Sequence, residues 1–150
     1  MFSKILVPLD GSDLAECVFP YVRELASRKK ASVELAMVVE PYELPLHGGV
    51  VFDDKNLKEL EKYSRSRARD YMLRKKKYFA SKGIEVKTVV LLGKIADSLI
   101  DHVNSRSFDL IVMATHGRSG VSRWLMGSVA DKLIHFSDIP VLLIRPGQEP

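Results

Sequence analysis

The chain has 150 residues, 46% of them apolar and 28% charged, with 23 Lys and Arg against 19 Asp and Glu for a formal charge of +4. These values suit one soluble globular domain spanning 1–150 and exclude a disordered chain; the lone cysteine, Cys17, excludes a disulfide scaffold. No apolar run approaches the roughly 20 residues that span a bilayer, and Asp10-Gly11-Ser12 falls where a secretory leader would stay apolar, so a cytoplasmic protein without membrane association is expected.

In chain order, residues 4–8 (KILVP) form the first short apolar run, read as a strand. Ser12 or Asp13 then caps a helix carrying Ala15, Val18, Val22, Leu25 and Ala26 at helical spacing, with Arg28-Lys29-Lys30 at its end. Pro20 lies inside that pattern and should kink the helix or shift its start. Residues 33–39 (VELAMVV) read as the second strand, and 40–54 as one long loop of the kind expected to be functional or mobile. The longest helix is expected over 56–81, with Leu57, Leu60, Ser64, Ala68, Tyr71 and Tyr78 along one face.

Residues 84–92 (IEVKTVVLL) alternate at first, as an edge strand does. A helix over 94–105 places Ile95, Leu99, Ile100 and Val103 on one side, and 110–114 (LIVMA) form the fourth strand. A last helix is expected over 124–136 with Leu125, Val129, Leu133 and Phe136 on one side, before the fifth strand at 141–144 (VLLI). Strands that alternate with helices imply right-handed crossovers and a parallel sheet covered on both faces.

Charge is unevenly placed: residues 55–82 hold eleven Lys and Arg against three acids, a local +8 that leaves the remainder at −4. A basic stretch can be a nucleic-acid footprint. No aromatic interleaving suited to base stacking accompanies it, so it reads as a solvated helix face and nucleic acid is not the expected partner.

In an open parallel sheet, ligands bind beyond the strands' carboxyl ends at the topological switch point. The first strand ends in Pro8-Leu9-Asp10-Gly11-Ser12 and the fourth in Ala114-Thr115-His116-Gly117-Arg118-Ser119-Gly120, with Gly127-Ser128 opening or entering the last helix. Glycines let backbone amides approach a ligand closely, and amides at a helix start beside a hydroxyl bind anions, phosphate above all. Arg118 and Arg123 add positive charge. The two commonest phosphate loops are excluded: Gly93-Lys94 is followed by Ile95, so no GxxxxGK[ST] is present, and no GxGxxG follows the first strand.

The run A-T-H-G, nine residues, then G-S from Ala114 to Ser128 resembles the G-x2-G-x9-G-[S/T] nucleotide loop of universal stress proteins. KILVPLDGS near the N-terminus and PVLLIRP near the C-terminus resemble that family's first and last strands, and the likeness covers essentially the whole chain. The resemblance implies a Rossmann-like, adenine nucleotide alpha hydrolase-like α/β fold: an open five-stranded parallel sheet of order 3-2-1-4-5 with helices on both faces. It implies an adenine nucleotide, ATP foremost, with ADP and AMP open beside it; Mg²⁺ is open too, since triphosphates usually bring it. Asp10 would accept from the ribose hydroxyls, with Pro8 and Leu9 beside the nucleoside and the Val38 backbone on the adenine edge. Met113, Ala114, Thr115, His116, Gly117 and Arg118 would wrap the phosphates, and Gly127, Ser128 and Val129 would donate to the β- and γ-phosphates.

It also implies a homodimer formed by the last strand, Val141 to Arg145, and an apolar edge strand independently calls for such cover. The first motif position is Ala114 instead of glycine: a left-handed backbone there would cost alanine about 1–2 kcal/mol, whereas a need for a small side chain alone is met.

Catalytic signals are sparse. His47, His102, His116 and His135 show no metal-ligand spacing, and no GxSxG elbow is present. His102 and His135 are expected as partly exposed helix residues, and Cys17 as a buried, inert thiol. His116 is the one acid/base candidate, and nothing in the sequence positions an attacking water. The reading is therefore an ATP-binding stress-response sensor or regulator with little or no turnover. A slow ATPase or phosphotransferase and a nucleotide-free dimeric interaction module stay open beside it.

Overall fold

A computed structural model describes residues 2–29, 31–42, 54–116 and 126–147. The chain runs β1 (Lys4–Leu9), α1 (Asp13–Glu16), α2 (Phe19–Lys29), β2 (Ser32–Val39), α3 (Asp54–Ser81), β3 (Val86–Leu92), α4 (Ile95–Arg106), β4 (Leu110–Ala114), α5 (Ser128–Phe136) and β5 (Val141–Ile144). All five strands are parallel, in the order β3-β2-β1-β4-β5, as expected. Most of the expected 40–54 loop lies outside the described residues.

Alternation along β1 divides the core. Ile5, Val7 and Leu9 face one layer with Val18, Val22, Met72 and Phe79, contributed by α2, α3 and the link before α2. Leu6 faces the other with Leu99 and Val103 of α4 and Ala130 and Leu133 of α5. Among the described residues, no helix is long and apolar enough to cross a membrane.

Several boundaries differ from expectation for local reasons. The first helix is two: α1 stops at Glu16, and α2 starts at Phe19 with Pro20 second, where a missing N–H leaves no helical bond unmade. Strand β3 begins at Val86 instead of Ile84, because Ile84 belongs to the cap of α3. The amides of Gly83 (φ +74) and Ile84 donate to Ala80 and Phe79 carbonyls at 3.0 Å each, the pattern of a Schellman cap. Helix α4 is shifted one residue, with Lys94 as its N-cap. Helix α5 starts at Ser128, since Gly127 is extended (φ −63°, ψ 146°); Trp124 and Leu125 lie outside the described residues.

Helix α3 is far longer than the strands it covers: about 42 Å at 1.5 Å per residue, against about 23 Å for the seven residues of β3. Ala68 is its first buried residue, and Leu60, expected on one face with Ala68 and Tyr71, is exposed. The first half of α3 thus projects beyond the core.

His102 is a correction. Instead of being partly exposed, it is buried at 7% exposure, its Nε2 2.5 Å from Oε1 of Glu34 on β2. Its register on α4, one turn beyond Leu99, places it on the sheet side, where the only buried charged residue of the described strands meets it. His135 is exposed, as expected.

Candidate functional site

The sheet opens where β1 and β4 part. The two strands are in register only at Ile5↔Leu110 and Leu6↔Ile111, although β1 continues to Leu9 and β4 to Ala114. On its other side β1 pairs with β2 as far as Leu9↔Met37, while β2 runs on beside β3 to Val39. The result is a cleft of about 300 Å³ at the carboxyl ends of the central strands, the position the switch-point rule assigns to ligands.

Of the expected site residues, Pro8, Leu9, Asp10, Val38, Met113, Ala114, Thr115, His116, Gly127, Ser128 and Val129 all line this cleft. Gly117 and Arg118 lie outside the described residues. Sequence reasoning missed Ala15, Ala36, Met37, Ile95, Leu99 and Ala130, which complete the lining. Ile95 could have been found, since it follows Gly93-Lys94 at the carboxyl end of β3 and obeys the same rule as Asp10. An alanine lining a cleft, by contrast, has the same sequence signature as an alanine in a core.

A short relay fixes Asp10. Gly11 at φ +85° turns the chain back, so that Ser12 donates to Asp10 Oδ1 from its amide (2.9 Å) and its hydroxyl (2.6 Å). The same hydroxyl accepts from the Ala15 amide at 3.2 Å and so caps α1. A cap read from sequence as a helix signal therefore also orients the carboxylate at the mouth of β1.

The opposite wall is built around Thr115. Its amide donates to the Ile144 carbonyl and its carbonyl accepts from the Gly127 amide, each at 2.9 Å, which ties β4 to β5 and to the start of α5. Its hydroxyl lies 3.0 Å from His116 Nδ1. Gly127 is needed for closeness and not for a left-handed backbone: a Cβ there would sit 3.1 Å from the Thr115 carbonyl oxygen. No side chain caps α5, so the first-turn amides that line the cleft keep donor capacity that the helix itself does not use.

Ala114 is the last residue of β4, buried, and does not have positive φ. The position asks for a small side chain, and alanine meets it without backbone strain.

The residues fit an adenine nucleotide. Apolar side chains of Leu9, Met37, Ile95 and Met113 offer surface to a base, the Asp10 carboxylate suits vicinal hydroxyls, and the uncapped α5 amides suit phosphate. Among the described residues, no group of three His, Cys, Asp or Glu side chains is arranged to hold a metal ion. Cys17 is half-buried, and burial pushes its thiol above the usual range.

Comparison with known proteins gives a consistent set of likenesses. The model of the universal stress protein family matches residues 1–145. Universal stress protein MJ0577 of Methanocaldococcus jannaschii is 27% identical over 155 residues, which cover 97% of this chain and 96% of that protein. The solved structure of MJ0577 superposes with a TM-score of 0.85 at 26% identity, over 99% of each chain. The universal stress protein from Archaeoglobus fulgidus in complex with dAMP has a TM-score of 0.63 at 23% identity, over 95% of this chain and 98% of that one. A family protein from Arabidopsis thaliana with AMP bound has a TM-score of 0.65 at 13% identity, over 97% and 92%. At those identities the last two share the fold with this chain.

Proposed function

The chain belongs to the universal stress protein family, and from that premise we propose that it is a cytoplasmic regulator or sensor that binds an adenine nucleotide, ATP foremost, and acts as a homodimer. The observation that carries the reading is the cleft between β1 and β4, which combines an oriented carboxylate with an uncapped helix start. The dAMP and AMP held by two proteins of the same fold support the choice of ligand.

In this reading Asp10 accepts from the ribose hydroxyls, Pro8 and Leu9 lie beside the nucleoside, and the Val38 backbone holds the adenine edge. Met113 to Arg118 wrap the phosphates, while Gly127, Ser128 and Val129 donate to the distal ones. Neutral amide donors suit this task, because they stabilise phosphate charge without a charged side chain to desolvate. The bound group supplies negative charge at the start of α5, with Mg²⁺ accompanying a triphosphate. His116 is the only histidine lining the described cleft, and its Nδ1 is engaged with Thr115; the reading is a binder with little or no turnover.

The dimer reading rests on the β5 edge. Carbonyls of Pro140 and Ile144 accept from Ile111 and Thr115 of the β4 side. By strand alternation, the backbone groups of Val141 and Leu143 point outward, free to pair with a twin strand.

The test is to denature purified protein and identify the released small molecule by chromatography and mass spectrometry. Near-stoichiometric ATP is expected, and its survival through purification would mean slow turnover. ADP or AMP would shift the reading to slow hydrolysis or a different nucleotide preference. No released nucleotide, together with no binding of added adenine nucleotides, would overturn it in favour of a nucleotide-free interaction module.

A further inference from the structure

A second cleft, of about 580 Å³, adjoins the first and shares Ile95, Ser128 and Val129 with it. Its charged residues among those described are Lys94, the N-cap of α4; Lys132, one turn into α5 from Ser128; and Glu40, just past the end of β2. None of the three belongs to the nucleotide-loop motif. Ser128 and Val129, the donors to the distal phosphates in the reading above, line both clefts, so phosphates held there border a space whose described charges are two lysines and one carboxylate.

We propose that this second cleft receives the distal phosphates, and that Lys94 and Lys132 make the protein favour adenosine di- and triphosphate over the monophosphate, with Glu40 opposing them. The inference rests on the nucleotide reading above and names the residues that decide phosphate number within it. Lysine suits the role: a compact cation on a flexible stem can follow phosphates of differing number without the fixed geometry of a guanidinium.

The experiment is calorimetric titration of AMP, ADP and ATP at fixed Mg²⁺ and about 0.1 M salt, into the wild-type protein, Lys94→Gln/Lys132→Gln and Glu40→Gln. The wild type should prefer ATP to AMP, and the lysine double variant should lower that ratio by about five- to tenfold, the scale of two exposed charge contacts, with AMP affinity unchanged. Glu40→Gln should move the ratio the other way, by about two- to threefold. Unchanged circular dichroism identifies folded variants, and the three positions are exposed. An ATP preference untouched by the lysine substitutions, or a wild type that binds AMP and ATP equally, overturns the inference and leaves nucleotide binding standing. A wild type that binds none of the three nucleotides overturns both.

Discussion

Asp10 shows how one side chain can be held in place by its neighbours. Ser12 holds Oδ1 from two donors and is itself held by the α1 amide it caps. Asp10→Ala should cost roughly 1.5–3 kcal/mol of nucleotide affinity, the range for hydrogen bonds to a charged acceptor. Calorimetry with ATP checks this, and an unchanged affinity would remove Asp10 from the site. Far from the cleft, Asp109 plays a purely structural part: its carboxylate accepts from the Ser3 amide (2.8 Å), the Ser3 hydroxyl (2.7 Å) and the Lys4 amide (3.0 Å). Desolvation works to raise its pKa, but these hydrogen bonds prevail and hold it below the usual carboxylate range. A lowered folded-state value means that its contribution is complete above the unfolded value near about 4 and is lost as pH falls through the folded one. Asp109→Asn should therefore unfold at lower urea than the wild type at pH 7, and the gap should close as pH falls below the usual carboxylate range. These residue-scale features were unequally legible. Asp10, Thr115 and Gly127 stood out as polar or glycine residues ending apolar runs. His102 did not, because its partner Glu34 is 68 positions away and helical spacing carries no sign of such pairing.

At the scale of elements, the Glu34–His102 pair couples α4 to β2 directly below the stretch of α4 that contributes Ile95 and Leu99 to the cleft. Removing one member leaves a buried polar group without its partner, at a cost of about 3 kcal/mol, whereas replacing both by apolar residues can be nearly neutral. His102→Leu should thus lower the urea midpoint strongly, and Glu34→Leu/His102→Leu should recover most of the loss. If the double variant is no better than the single one, the pair does not act as a unit. At the sheet edge, Leu143→Pro removes an outward-facing amide while leaving the β4 ladder its donors and acceptors. It should give monomers in sedimentation with the sheet intact, and a persistent dimer would point to another surface. The strands themselves were readable because both faces are covered, which writes β1 and β4 as unbroken apolar runs. Element ends were less readable where capping intervened, as at Ile84 and Gly127, since a residue engaged in a cap looks no different from the strand or helix it adjoins.

For the molecule as a whole, the cleft lies where the central strands separate, so a ligand there contacts both β1 and β4 at positions where they no longer pair with each other. A ligand that binds only the folded state stabilises it by mass action, about 2.7 kcal/mol at a hundredfold excess over Kd. For a chain of this size that is roughly 5–10 °C in unfolding temperature. ATP should raise the melting temperature by this amount in a concentration-dependent way in differential scanning fluorimetry, and a flat response would count against the cleft as its site. Strand order was accessible through the family likeness alone; alternation of strands and helices dictates parallel pairing but does not say which strand lies at the centre.

The projecting helix α3 has a consequence of a different kind. Residues 55–82 carry a local +8 while the rest of the chain is at −4, so the molecule is a strong permanent dipole whose positive pole lies on one flank. Facing any negatively charged matrix, it will be turned by torque before contact and will land with α3 first. Helix α3 packs on the β2–β3 side, β5 is at the opposite margin of the sheet, and no α3 residue lines the described cleft. A cation exchanger will therefore retain the protein by one helix, more tightly than a charge of +4 suggests, and will immobilise it with the described cleft and its β5 margin still open to solution.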